Sequence, residues 1–308
     1  MSQPEHDSAR SGRDAADSVE ALFRKTARRF RAAGLATAEL DARVLICAAS
    51  GLSLETLIGA PERRVGARQA ARLEDFAARR LRGEPVSRIL GVREFHGLAF
   101  ALNAATLDPR PDTETLVEAA LEVAEELGGA DAPLRILDLG TGSGCIIVSL
   151  LHALPHARGV ACDLDPRAVA AARENALTHG VAGRLQVFCG NWADALDARF
   201  DLVVSNPPYV ARGDLAALAP EVALFDPRLA LDGAADGLAC YREIAPQLAG
   251  LLRPGAWALF EAGAGQAEAI GRIVAGALGD TDHGAPRYWR DLAAHVRCVG
   301  IRRRGSAA

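Results

Sequence analysis

The sequence predicts a doubly wound α/β domain, its parallel sheet covered by helices on both faces, preceded by a small helical domain. Three observations predict it. Beyond Pro133, short near-continuous apolar runs alternate with helical stretches, as parallel strands buried on both faces require. A glycine-rich turn directly follows the first of these runs and leads into an apolar helix. Before Gly83, β-branched runs are rare and apolar residues recur at helical spacing.

The chain has 308 residues, about two domains at roughly 150 residues each. With 50% hydrophobic and 24% charged residues it can bury a sizeable core, which excludes disordered and fibrous classes. No window approaches 18 consecutive apolar residues, and Met1 to Arg10 is polar, so neither a transmembrane span nor a secretory signal is expected. The net charge of −4 is unevenly spread, +4 up to Ala105 and −8 beyond it. Lys25 is the sole lysine, an arginine skew that reads as nucleotide bias in the genome. Cys47, Cys145, Cys162, Cys189, Cys240 and Cys298 form no CxxC pair, and free thiols in a reducing cytoplasm are expected.

In order along the chain, amphipathic helices are expected around Ser18 to Ala33, Ala38 to Ser50 and Ala67 to Leu81, stopped by Gly34, Gly51 and Gly83. Residues 1–84 form the helical domain, with 1–17 expected to be disordered. Between 85 and 107 short apolar pieces broken by glycine suggest a β-hairpin linker, leaving 108–308 as the α/β domain. Its strands are expected at Arg135 to Leu139, Val160 to Asp163, Leu185 to Cys189, Phe200 to Ser205 and Trp257 to Glu261. Helices are expected at Cys145 to Leu154, Pro166 to His179, Leu238 to Leu252 and Gln266 to Leu278.

The turn after the first strand reads Gly140-Thr141-Gly142-Ser143-Gly144. Glycines let the backbone turn tightly and approach a ligand that a Cβ would hold off. A dinucleotide fingerprint needs its third glycine one residue later, where Cys145 stands, and this GxGxG spacing favours S-adenosylmethionine, which has no pyrophosphate to cradle. Asp163, 21 residues past Gly142 at the end of the second strand, is placed to accept hydrogen bonds from both ribose hydroxyls. Gly190-Asn191-Trp192 follows the third strand, where Trp192 either stacks on adenine or packs in the core.

The fourth strand ends in Asn206-Pro207-Pro208-Tyr209, which a parallel sheet brings to the cleft of the glycine loop. Two prolines remove two donors, leaving the Asn206 side-chain oxygen and the Pro207 carbonyl as acceptors. Two acceptors can hold a planar amino group so that its poorly nucleophilic lone pair faces an electrophilic methyl, and they stabilise the positive charge growing on nitrogen. The Tyr209 ring can pack on the flat group or lend cation–π stabilisation to a sulfonium. Methylation of cytosine carbon needs a thiolate, usually after proline, and the chain has no Pro-Cys pair. No metal is assigned, the seven histidines lacking ligand spacing. Arg110 to Glu114 precedes a helix for which Thr115 and Glu118 make a capping box, and helix capping suffices to explain that segment.

These residues resemble the HemK/PrmC protein-(glutamine-N5) methyltransferases. The resemblance spans nearly the whole chain, through Gly83-Glu84-Pro85, Gly91 to Phe95, Pro109 to Glu114, Asp138 to Gly144 and Ser205 to Tyr209. It implies a seven-stranded class I, Rossmann-like methyltransferase sheet with an antiparallel last strand. Gly140, Thr141, Gly142, Ser143, Gly144, Asp163, Trp192 and Asn206 would contact S-adenosylmethionine, with S-adenosylhomocysteine as product. Asn206, Pro207, Pro208 and Tyr209 would bind the substrate, with Asn206, Pro207 and Tyr209 catalytic. The substrate implied is the GGQ glutamine of class 1 peptide chain release factors, docked by the N-terminal helices, in the cytoplasm. Asn191 departs from the family's usual aspartate before the tryptophan. A ribosomal-protein glutamine or an adenine amino group is the alternative substrate, but adenine in nucleic acid favours a basic cleft and the catalytic half is acidic. Neither membrane association nor stable nucleic-acid binding is expected, and a single cleft suits a monomer.

Overall fold

A computed structural model of the chain describes residues 17–279 and 283–304. The disorder expected of residues 1–17 lies, apart from Asp17, outside the described residues. The chain divides into two compact units, Met1–Leu90 and Gly91–Ala308.

The first unit is helical: α1 Val19–Ala32, α2 Ala38–Ser50, α3 Leu54–Gly59, α4 Ala67–Leu81 and α5 Val86–Leu90. Helix α1 starts where the Ser18 hydroxyl accepts from the Ala21 N–H at 3.2 Å, and α2 stops where Gly51 turns left-handed at φ 73°. Leu22, Phe30, Leu45, Ile46, Leu73 and Phe76 meet in one core. Within it Arg80 Nε donates to Asp41 Oδ2 at 2.8 Å, both side chains under a tenth exposed. The short helices α3 and α5 were not expected, five or six residues being too few to show a helical period.

The second unit opens with the hairpin β1 Val92–Phe95 and β2 Leu98–Ala101, within the stretch expected to link the domains. Then follow α6 Glu114–Glu126, β3 Arg135–Leu139, α7 Cys145–Ala153, β4 Arg158–Asp163, α8 Pro166–Thr178, β5 Leu185–Cys189 and β6 Phe200–Ser205. The chain ends through α9 Pro220–Phe225, α10 Ala239–Ile244, α11 Leu248–Leu251, β7 Leu252–Glu261, α12 Ala267–Leu278, β8 Arg287–Arg290 and β9 Val296–Arg302. The seven-stranded sheet runs β5-β4-β3-β6-β7-β9-β8, parallel from β5 to β7, with β9 antiparallel to β7.

Alternate residues of the strands serve opposite cores, as the two-residue strand period dictates. Ile136, Ala161, Leu202 and Leu259 pack with α6, α7 and α8, whereas Leu137, Cys162, Val203 and Phe260 pack with α10, α11 and α12. The helix expected over Leu238 to Leu252 is broken at Pro246, whose missing N–H cannot continue the ladder. The capping box expected at Thr115 and Glu118 is absent. A 3-10 turn, Pro111–Thr113, starts the helix earlier, which places Thr115 inside α6 and leaves Glu118 to pair with His96 Nε2 at 2.8 Å.

Candidate active site

The chain leaves β3 outward to β4 and β5 and returns to β6 on the other side of β3, a crossover that opens a crevice at the carboxyl ends of these strands. A cavity of about 250 Å³ lies there, lined by Gly140 to Ser143, Asp163, Gly190 to Trp192, Asn206 and Pro208 among others.

The glycine loop forms one wall. Gly140, Gly142 and Gly144 all hold positive φ, at 74°, 56° and 81°. A Cβ on Gly144 would come within 3.2 Å of the α8 backbone at Ala172, so this glycine lets the loop seat on the helix. A Cβ on Gly142 would meet no atom within 4 Å, because that residue borders open space. The loop is tied down from three sides. Gly140 and Thr141 N–H groups both donate to the Cys162 carbonyl, and the Thr141 hydroxyl donates to Asp138 Oδ2 at 2.7 Å. Asn175 Nδ2 donates to the Ser143 carbonyl at 2.8 Å, while its Oδ1 accepts from Ala101 of the hairpin. Burial pushes the Asp138 carboxyl up to about 7.

Asp163 faces the loop from the end of β4. Its Oδ2 accepts from Gly142 N–H at 2.8 Å and its Oδ1 from Asp165 N–H at 3.0 Å, and partial burial raises its pKa. Trp192 lies against Gly140 in a left-handed conformation, φ 45°, which is unusual for a bulky residue. Its indole N–H donates to Glu243 Oε2 at 2.9 Å and its carbonyl accepts from the Cys162 thiol. All six cysteines are free. Asn191 also lines the cavity, its amide donating to Asp194 Oδ2 at 3.1 Å.

Beyond β6 the expected tetrapeptide divides between two environments. Asn206 and Pro208 line the cavity, whereas Pro207 is buried and Tyr209 is not in the lining. Asn206 Nδ2 donates to Thr113 Oγ1 at 3.2 Å, and among the described residues no donor reaches its Oδ1. The Tyr209 hydroxyl donates to Glu261 Oε1 at 3.1 Å and its carbonyl accepts from Gln266 Nε2 at 3.0 Å. Burial raises the Tyr209 pKa well above the usual phenol range, and the neighbouring Glu261 carboxyl adds to the rise. Glu261, at the end of β7, is 2% exposed. Burial drives its carboxyl up to about 7 despite the opposing pull of the Thr113 and Tyr209 hydroxyls. The segment from Leu231 to Gly237 wraps this backbone: Val210 N–H donates to the Leu231 carbonyl and Gly233 N–H to the Val210 carbonyl. Only glycine fits at Gly237, where φ is 75° and a Cβ would lie 2.3 Å from the Tyr209 carbonyl oxygen.

Sequence reasoning missed Thr113, Glu261, Gln266, Glu243 and Gly237. Thr113 was assigned to helix capping; it is 2% exposed and lines the cavity beside Asn206. A glutamate closing an otherwise apolar strand run, Trp257 to Glu261, was the available signal for Glu261.

Family models match both units: PrmC N-terminal domain over residues 21–91 and methyltransferase small domain over residues 118–223. The chain is 47% identical to the release factor glutamine methyltransferase of Bradyrhizobium diazoefficiens over 286 residues, covering 93% of this chain and 95% of that protein. It is also 47% identical to the protein of the same name from Rhodospirillum rubrum, covering 92% and 85%. Among solved structures, the hMettl16 catalytic domain in complex with a MAT2A 3′UTR hairpin shares the fold, with a TM-score of 0.52 at 18% identity over 75% of this chain and 80% of that one. Seven strands in this order, a glycine loop facing an Asn-Pro-Pro-Tyr turn, and near half identity over almost the full length of both relatives together make this chain a member of the release factor glutamine methyltransferase family.

Proposed function

We propose that the cavity binds S-adenosylmethionine and that the chain methylates the side-chain amide nitrogen of the GGQ glutamine in class 1 release factors. The observation that carries this reading is the Asn206 amide, pinned through Nδ2 to Thr113 so that Oδ1 is left as a hydrogen-bond acceptor at the cavity wall. The cavity suits the cofactor. Gly142 offers open space where a side chain would intrude, Asp163 supplies a carboxylate for two hydroxyls, and Trp192 supplies a flat apolar surface. Gly140 to Gly144, Asp163, Trp192 and Asn206 would hold the cofactor, which when bound supplies an electrophilic methyl group.

Asn206 Oδ1 and the Pro207 carbonyl would accept the two N–H bonds of the substrate amide, fix its plane and stabilise the positive charge that develops on nitrogen. Pro208, in the cavity lining, completes the substrate wall, Tyr209 holds the turn through its bond to Glu261, and the first unit docks the release factor. The test is mass spectrometry of purified release factor after incubation with this protein and S-adenosylmethionine. One added methyl on the GGQ glutamine is expected. Binding of S-adenosylhomocysteine without methylation there would refute the substrate assignment and redirect the search to ribosomal proteins.

A further inference from the structure

We propose that Glu243 is a positioning residue for cofactor binding: with Gln247 one turn further on, it clamps Trp192 so that the indole stands as a fixed wall of the cavity. The inference rests on the proposed reading of Trp192 as a surface for the cofactor, and names the device that keeps that surface in place.

Trp192 holds φ 45°, a conformation in which a bulky L-residue is rarely found. Such strain persists only where the surroundings over-determine it. Here the main chain is held on both sides of the strained residue. The Trp192 carbonyl accepts from the Cys162 thiol at 3.0 Å, and the next N–H, that of Ala193, donates to Gln247 Oε1 at 3.0 Å. Those bonds fix the backbone but leave the ring free to turn about its own side-chain torsions. The indole N–H, the one donor this side chain has, supplies the missing restraint by donating to Glu243 Oε2 at 2.9 Å. The far end of the ring meets the glycine loop, where Cζ3 lies 3.4 Å from the place a Cβ on Gly140 would take. One end of the indole is therefore held by a hydrogen bond and the other by contact.

The clamp is carried by α10 and the 3-10 turn that follows it, Ala245–Gln247. Gln247 Nε2 donates to the Glu243 carbonyl at 3.2 Å, which turns Gln247 Oε1 toward Ala193. The opposite side of α10 is rooted in the core through Tyr241 and Ile244, both 0% exposed, and the Tyr241 hydroxyl donates to the Glu261 carbonyl at 2.7 Å. Glu243 itself is exposed and lines the cavity beside Trp192. An exposed carboxylate adds little to packing, so its effect is read in the ring's position. Without Glu243 the indole samples orientations that leave the wall, and apparent affinity falls with the fraction of molecules in which the wall is in place.

The test uses the full-length protein as Glu243→Ala, Glu243→Gln, Trp192→Leu, Trp192→Phe and the double variant Trp192→Phe with Glu243→Ala. Glu243→Ala should weaken calorimetric S-adenosylhomocysteine binding about three- to tenfold, the range of one hydrogen bond. It should raise KM for S-adenosylmethionine by the same factor, while kcat at saturation moves by less than about twofold. Glu243→Gln keeps an acceptor oxygen and should recover most of the affinity. In ¹H–¹⁵N spectra the Trp192 indole peak, identified among the chain's three tryptophans by its loss in Trp192→Phe, should shift and exchange faster in Glu243→Ala but not in Glu243→Gln. In the Trp192→Phe background, where no N–H remains to be held, Glu243→Ala should cost nothing further. A full additional loss there overturns the inference, because the carboxylate would then act on the cofactor directly. Wild-type affinity in Glu243→Ala beside weak binding in Trp192→Leu overturns it as well. A Trp192→Leu protein that binds as tightly as wild type refutes the reading of Trp192 itself, on which the inference rests.

Discussion

Gly237→Ala tests whether the substrate wall depends on a backbone clamp remote from the glycine loop. The alanine would have to hold φ near 75°, which costs about 1–2 kcal/mol for an L-residue. Its Cβ would lie 2.3 Å from the Tyr209 carbonyl oxygen and 2.5 Å from Gln266 Nε2, so one backbone or the other must move. Overpacking of that kind costs about 1–3 kcal/mol, giving about 2–5 kcal/mol in all. In a unit of this size each kcal/mol lowers the melting temperature by about 2–4 °C. Since one of the two backbones is that of Tyr209, a shift of about 1 Å taken up there would be passed along the tetrapeptide to Asn206, a misplacement that can cost about 10²-fold in turnover. S-adenosylhomocysteine affinity should fall far less, since of the residues proposed to hold the cofactor only Asn206 is displaced while the glycine loop, Asp163 and Trp192 are untouched. Gly142→Ala is the converse: its φ of 56° is strained but no atom lies within 4 Å, so stability should fall by only about 1–2 kcal/mol while cofactor affinity drops. Differential scanning calorimetry, titration calorimetry and single-turnover methylation separate these effects. A Gly237→Ala enzyme that loses cofactor affinity but keeps its turnover would refute the reasoning.

Asn206→Ala should lower turnover on the order of 10²- to 10³-fold with unchanged melting behaviour, and a full-rate variant would remove Asn206 from the reaction. Asp41→Ala removes the buried carboxylate that accepts from Arg80 Nε and should destabilise the first unit by about 1.5–3 kcal/mol in denaturant unfolding, without altering S-adenosylhomocysteine binding. Asp138 and Glu261 both have folded pKa values raised from the usual carboxylate range to about 7. The stability tied to their protonated forms is therefore full below about 4 and is lost as pH rises through about 7. Thermal melts of Asp138→Asn should show a shallower fall in stability over that window than wild type, and an equal slope would remove Asp138 as a contributor.

Much of this molecule is legible in one dimension. Local rules set the bounds of α2 and α4, of β3, β5 and β6, and the start of the glycine loop, because each depends on neighbours within a turn or a strand. The same rules fail at Pro246, where apolar periodicity runs on through a residue that cannot donate. They fail again at Thr115 and Glu118, a capping pattern that the 3-10 turn at Pro111 pre-empts. Along the chain Thr113 and Asn206 are 93 residues apart and Tyr209 and Glu261 are 52, so no spacing rule joins them.

The sequence by itself determined the alternation of strands and helices, the glycine turn, the acidic residue at the end of β4 and the acceptor-rich turn after β6. All of these follow from backbone permissiveness and hydrogen-bonding capacity carried by adjacent residues. Only the tertiary structure decided that Thr113 holds Asn206, that Glu261 holds Tyr209, and that Gly237 must be glycine. Those contacts exist because Leu202 to Ser205 of β6 pair with Trp257 to Phe260 of β7 and bring the strand ends together with the turn before α6, and the burial that results pushes the Glu261 carboxyl up to about 7. Desolvation is a property of the surroundings, and a residue's surroundings are written in the fold.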